Sequence, residues 1–437
     1  MEKGIILYKI YCKYLMEAVS RRKIVLAWLW VALCSTAIFL TVPVARSIQK
    51  FVYNNWGREV FGYFVLVVLG IGFLGLLYFL SFKLKIRHAS NYFWLFIVAG
   101  LYLYFTLKLW KIPEEAVHFL EYGLLGFFLF KALTHNVKDK SIYFTATLFA
   151  LLIGTFDEIL QWITPQRFWD FRDAGLNGLS GGLFQLAVWK VVKPVVISEK
   201  VNPESIKILS SISALCLIFL GLCASNTPER VAYYTRLIPA LSFLQKEESM
   251  SEFGYKYKDP EIGVFYSRLS LKSLQKEDKV KGEKYAQILN ESVNKDYDQF
   301  LKEYNPITHP FMHELRVHLF RRDSYFEKGN ISSNIDEKRE SYFIAYKENL
   351  ILKKYFTQSI QKSVYRWSED KIQKGANLID KNKFYESPVS AGLFTKFSEK
   401  TMWIVILVLI STLIFFNLAY SSISKKTGSE SGSGLNI

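Results

Sequence analysis

Several stretches of about twenty consecutive apolar residues constrain this chain more than any other feature, because a helix of that length crosses the roughly 30 Å hydrocarbon core of a bilayer. Clear runs cover 24–45, 60–82, 92–109, 208–225 and 402–420. Weaker ones at 116–133, 142–163 and 174–192 carry polar residues but keep the length. The fold class expected is therefore an all-α polytopic membrane protein of about eight transmembrane helices. Composition agrees. With 51% hydrophobic residues the chain would collapse rather than stay disordered. Four cysteines in 437 residues are too sparse for a secreted disulfide scaffold, and no CxxC spacing suggests a metal knot.

The net charge of +16 has two competing causes, nucleic acid or membrane topology. Its location decides. With the N-terminus placed inside, the inner segments hold 18 Lys and Arg and the short outer segments hold 7. Both termini are then cytoplasmic by the positive-inside rule. Trp56, Trp110, Trp162, Trp169 and Trp403 fall near the outer ends, as interface anchors do. The basic residues form no stripe with interleaved aromatics, so nucleic acid is not an expected partner. GxSxG and GxxxxGK[ST] are absent.

The domain reading follows. Residues 1–23 form a basic cytoplasmic segment, and 24–195 a six-span core whose first span is a retained helix rather than a signal peptide. Span seven is 208–225 and span eight 402–420. Between them, 226–399 is hydrophilic and lies outside by parity, as an extracytoplasmic α+β domain. Within it the spacing predicts a helix over 278–304, a strand over 315–320 and a helix over 343–356. Residues 421–437, rich in Gly and Ser, read as a flexible cytoplasmic tail.

Spans four to six carry the unusual residues. His118 and Glu121 are i,i+3 neighbours with Tyr122 beside them, and Glu121 lies roughly 9 Å below the start of its span. A carboxylate at that depth costs a few kcal/mol, by order of magnitude about 3, unless it is paired, protonated or wetted. Span five ends with Asp157, Glu158 and Gln161. One carboxylate is expected to face a site and the other to pair with a neighbouring helix or an arginine. A short loop brings Arg167 and Arg172, and span six opens with Asp173 and then Asn177. Gly178 and Gly182 form a GxxxG pair suited to close helix approach. Parity places all of these near the outer leaflet, lining one polar pocket. The bland alternatives are Asp173 as an N-cap, His118 bonded to a backbone carbonyl, Asn177 as interhelical glue, and Glu114 and Glu115 as solvated surface charges.

The run Asp157-Glu158-x-x-Gln161-x-x-x-Pro165-x-Arg167-x5-Asp173-x3-Asn177-x3-Gly181, preceded by His118-Phe119-x-Glu121-Tyr122, resembles the VanZ-like family of membrane proteins. The resemblance covers at most 20–195, its motif 114–182, and does not reach the external domain or the last two spans. It implies residence in the bacterial cytoplasmic membrane and a link to low-level resistance to the glycopeptide teicoplanin. It implies the motif residues as the site without assigning them roles.

Three functions remain in view. The first is binding or modification of a lipid-linked or glycopeptide-like ligand at the outer leaflet. Asp157, Glu158, Glu121 and His118 would be the catalytic candidates, and Arg167, Gln161, Asp173, Asn177 and Tyr122 the substrate-binding ones. No cofactor is specified; a variant has Mg or Mn held by Glu121, Asp157, Glu158 and Asp173 with His118 nearby. The second is a non-catalytic shielding module acting through the external domain. The third is a proton-coupled transporter, disfavoured because the polar residues stay in the outer half. Membrane lipids and a lipid-linked cell-wall precursor or glycopeptide are the partners expected.

Overall fold

A computed structural model of the chain describes residues 2–165, 167–246, 248–380 and 383–432, and within them the side chains of 21–422 except those of Ala45, Pro113, Glu114, Lys246 and Gly375. The expectation for Glu114 therefore falls outside the described side chains. The chain divides into two compact units, Met1–Gly221 with Val405–Ile437, and Leu222–Ile404.

The first unit is built from α1 (Glu2–Trp56), α2 (Val60–Tyr78), α3 (Ala89–Lys108), α4 (Pro113–Leu133), α5 (Ser141–Ile163), α6 (Phe171–Ala187) and α7 (Pro203–Ala224). α2 and α6 each run on into one π-helical turn, Phe79–Lys83 and Val188–Val192. α1 is continuous, so residues 2–23 of the basic segment are the start of the first long helix rather than a separate piece. Pro113 and Pro203 stand at the first turns of α4 and α7, where a missing N–H costs nothing.

α6 is the hub. Gly178, Gly181 and Gly182 turn toward α5, where a Cβ on each would meet Leu151, Ala150 and Thr147 at 3.0, 2.5 and 3.1 Å. On its α4 side, Ser180 Oγ donates to the Phe119 carbonyl and Gln185 Nε2 donates to the Gly126 carbonyl at 2.8 Å. Tyr102 of α3 donates its hydroxyl to the Ser180 carbonyl at 2.8 Å. Leu125, Leu129, Ala132, Ile142 and Ala146 fill the α4–α5 core, with Val31 and Ile38 of α1 against them.

The second unit starts with α8 (Pro228–Leu237) and a 3₁₀ segment, Pro239–Lys246. An antiparallel hairpin follows, β1 (Tyr255–Asp259) and β2 (Gly263–Ser267), in which Tyr257 pairs with Phe265. Then come α9 (Leu271–Glu291), α10 (Tyr297–Glu303), α11 (Pro310–Ile331), α12 (Ile335–Tyr355), α13 (Thr357–Gln361) and α14 (Glu369–Ala376). Phe265, Leu289, Phe300, Leu315, Leu319 and Ile351 form its core. Its two ends meet. Trp403 Nε1 donates to Ser225 Oγ at 2.7 Å, and Arg230 pairs with Glu399 at 2.5 Å. The chain closes on α15 (Glu399–Gly432), whose Tyr420 hydroxyl, back in the first unit, donates to the Val201 carbonyl at 3.1 Å.

Among the described residues, seven helical stretches, in α1–α5, α7 and α15, are long and apolar enough to cross a membrane, so the chain is an all-α polytopic fold with little sheet. The eighth stretch expected, 174–192, is helical but not apolar enough to join them. The reason is its burial. Asn177, Gly178, Ser180, Gly181 and Gln185 face protein, so their polarity says nothing about exposure to lipid.

Other expectations are corrected. The strand over 315–320 is the middle of α11, because Arg316 and His318 are buried along with Leu315 and Leu319, so no polar face alternates with an apolar one. The helix over 278–304 is two helices broken at Ser292–Asp296, where Asp296 caps α10 by accepting from the Asp298 and Gln299 N–H groups. The helix over 343–356 is real and begins earlier, at Ile335. In place of a mixed α+β domain, the segment is helical around one two-stranded hairpin. Residues 421–432, expected as a flexible tail, prolong α15, since extending a formed helix is far easier than starting one. The last five, 433–437, fall outside the described residues.

Candidate functional site

α4 begins, α5 ends and α6 begins at the same end of the first unit, so the polar residues of all three helices collect there. Gln161, the last full turn of α5, is the bridge. Its Nε2 donates to Asp157 Oδ2 at 3.2 Å and to Glu158 Oε1 at 2.9 Å. Its Oε1 accepts from Arg167 Nη2 at 2.5 Å. One amide thus holds two neighbouring carboxylates and one guanidinium, with i,i+3 and i,i+4 spacing providing the reach. Asp157 and Glu158 are 0% and 2% exposed, so both face protein, and both share the Gln161 amide, where one was expected to pair with a neighbouring helix or an arginine instead.

α4 adds a second row. His118 Nδ1 lies 3.0 Å from Glu121 Oε2, too bent for a hydrogen bond, and both side chains are about a quarter exposed, at 26% and 28%. His118 is therefore tied to a carboxylate rather than to a backbone carbonyl. Asp157 and Arg167 lie within electrostatic reach of it. The Tyr122 hydroxyl is fully buried beside Asp157 yet outside hydrogen-bond geometry. Tyr122 Oη and Asp157 Oδ1 are both buried polar atoms without a hydrogen-bond partner.

α6 contributes less directly. Its N-cap is Asp170, which accepts from the Arg172 N–H at 2.7 Å, so Asp173 is not the cap. Asp173 instead takes Arg172 at 3.0 Å and lies within electrostatic range of Glu158 and Arg167. Arg172 also reaches Glu115 Oε1 at 2.8 Å, so this arginine is engaged outside the cluster and Glu115 is not a freely solvated charge. Asn177 sits a turn deeper and packs on Gly154. Trp162, expected as an interface anchor, is buried at 5% exposure.

His118, Glu121, Tyr122, Asp157, Glu158, Gln161, Arg167 and Asp173 therefore converge, while Asn177 and Arg172 hold the surrounding helices. Sequence reasoning missed Tyr102 and the hydrogen-bonding role of Ser180, which together tie α3 to the α6–α4 contact. Two hydroxyls inside apolar spans were the available signal. Among the described residues no three His, Cys, Asp or Glu side chains are disposed to hold a metal ion. The cluster can accept, donate and shuttle protons, and it is dominated by acids. Comparison with protein-family models, curated proteins and solved structures finds no match for this chain.

Proposed function

We propose that this is a VanZ-like integral membrane protein of the bacterial cytoplasmic membrane that binds or modifies a lipid-linked or glycopeptide-like ligand at the outer leaflet, contributing to teicoplanin resistance. In this reading α6 is an eighth span, both termini are cytoplasmic, and 226–399 is extracytoplasmic.

One observation carries it. Asp157 and Glu158 are buried side by side, with the Tyr122 hydroxyl facing Asp157 without a well-aligned hydrogen bond. Intramembrane acids are kept for function more often than for stability, since pairing them inside protein gains little. Asp157 is placed to act as general base and His118–Glu121, at the more exposed edge, to relay the proton. Arg167 uses one N–H on Gln161, leaving others for a phosphate or carboxylate of the ligand.

The shielding reading is favoured by the second unit having its own core and tied ends. The two are separated by comparing strains that express wild-type protein, Asp157→Asn or Glu121→Gln at equal membrane levels. We expect wild type to raise teicoplanin tolerance and both variants to lose the gain. Full tolerance in both variants would leave only the shielding module.

A further inference from the structure

α4 has a second functional face. His118, Glu121 and Tyr122 lie on one side of it; Leu120, Gly123, Leu124 and Phe127 lie on the other, by helical periodicity. That other side walls an apolar cavity of about 700 Å³ between α2, α3, α4 and α6. Glycine makes the room: a Cβ on Gly70, Gly72 or Gly100, all on its walls, would meet nothing within 4 Å. Along α2 it extends from Leu66 to Leu76, a rise of roughly 15 Å, the depth of one leaflet. Leu80, Leu95 and Val191 pack together beside its end away from the acidic cluster.

Within two turns of these residues in sequence stand Lys83, Lys85, Arg87, Lys190 and Lys193. Residues 60–112 and 174–198 contain no Asp or Glu, and among the described residues none of these five side chains is in an ion pair with a carboxylate. The backbone there is unusual. Both π-helical turns end at this place, and Lys85 and Lys193 take left-handed φ values of 50° and 51°, a role glycine normally fills. Lys193 Nζ is steered to Asn91 Oδ1 at 3.2 Å, and Lys190 Nζ stands 4.1 Å from the Trp189 ring centre. A basic loop attracted to anionic lipid in general needs neither a cavity nor strained lysines.

We infer that this groove binds one anionic phospholipid, its acyl chains between α2, α3 and α4 and its headgroup among the five basic residues. A membrane-facing apolar cavity fills with hydrocarbon, and the charge at its end selects the headgroup. The site is independent of the acidic cluster and of its proposed role.

The test is native mass spectrometry of the full chain released from detergent with palmitoyl-oleoyl phosphatidylglycerol or phosphatidylcholine at equal concentration. One phosphatidylglycerol should be retained, preferred at least about tenfold over phosphatidylcholine. Gly100→Phe, which fills the groove, should abolish retention of either lipid. Changing the five basic residues to Gln should bring phosphatidylglycerol down to the phosphatidylcholine level. Undiminished retention in Gly100→Phe, or no headgroup preference in wild type, overturns the inference. If a variant does not fold, phosphatidylglycerol with a photoreactive acyl chain is applied to wild type. Cross-links to peptides of α2, α3 and α4 support the site; cross-links only elsewhere refute it. Asp157→Asn should leave retention unchanged, which separates this site from the acidic one.

Discussion

Gly154 of α5 and Asn177 of α6 touch: a Cβ on Gly154 would stand 2.6 Å from the Asn177 Cβ. One turn further along α5 are Asp157 and Glu158, and one turn back along α6 is Asp173. The missing Cβ is thus what lets the acid-bearing ends of the two helices meet. Gly154→Leu forces them apart. Overpacking of this kind costs about 1–3 kcal/mol. The expected outcome is a lowered unfolding temperature in detergent, with Gly175→Ala, where a Cβ meets nothing within 4 Å, behaving as wild type.

Gln161 is the amide on which both carboxylates and Arg167 depend. Gln161→Leu removes every one of those bonds while keeping the volume similar. Leaving buried polar groups without partners costs about 1–3 kcal/mol, more than losing a surface pair would. Gln161→Glu places a third carboxylate beside Asp157 and Glu158 and should be worse than Leu in neutral buffer. Chemical denaturation of the two variants side by side measures the order; Glu as stable as Leu would mean the acids are not charged neighbours.

Tyr122→Phe separates site from scaffold. The hydroxyl makes no well-aligned hydrogen bond within the protein, so its removal should change stability by less than about 1 kcal/mol. If the hydroxyl serves a ligand, teicoplanin tolerance should fall while unfolding is unchanged. A large loss of stability would show that the hydroxyl is bonded after all.

The spans were legible because hydrocarbon demands length and apolarity, and both are written in composition. The motif residues of α4 and α5 were legible for the complementary reason, since acids inside such runs are conspicuous. α6 was harder: its glycines, Ser180 and Gln185 answer to α4 and α5 rather than to lipid. The α11 segment misled because alternation signals a strand only when one set faces water. Here His318 is buried on Glu348, with Nδ1 to Oε2 at 2.5 Å, beside the Tyr385 hydroxyl, which donates to Oε1 at 2.5 Å. The hairpin was readable but not read. Tyr and Lys alternate in β1, and Asp259-Pro260 with Gly263 marks the turn. Gly263 has φ 107°, and a Cβ there would collide with the Tyr385 carbonyl at 2.2 Å.

The second unit should be acid-sensitive through His313. Burial, and then Arg268, lower this imidazole from 6.5 to about 4, against the weaker pull of the Tyr304 carbonyl. Its neutral form is the folded one, so its contribution is complete above 6.5 and is lost as pH falls toward 4. His313→Gln should flatten stability across that interval in urea unfolding monitored by tryptophan fluorescence. An unchanged slope would place the acid sensitivity elsewhere.

Sidedness is the decisive measurement, because the proposed role requires the acidic cluster to lie under the outer headgroups. Single cysteines are introduced at Phe168, beside the cluster, and at Lys200, at the opposite helix ends, in a background lacking the four native cysteines. In intact cells a membrane-impermeant maleimide should label the Phe168 position at once and the Lys200 position only after permeabilisation. Labelling of Lys200 in intact cells, with Phe168 protected until the membrane is opened, would put the cluster on the cytoplasmic side and contradict the proposal.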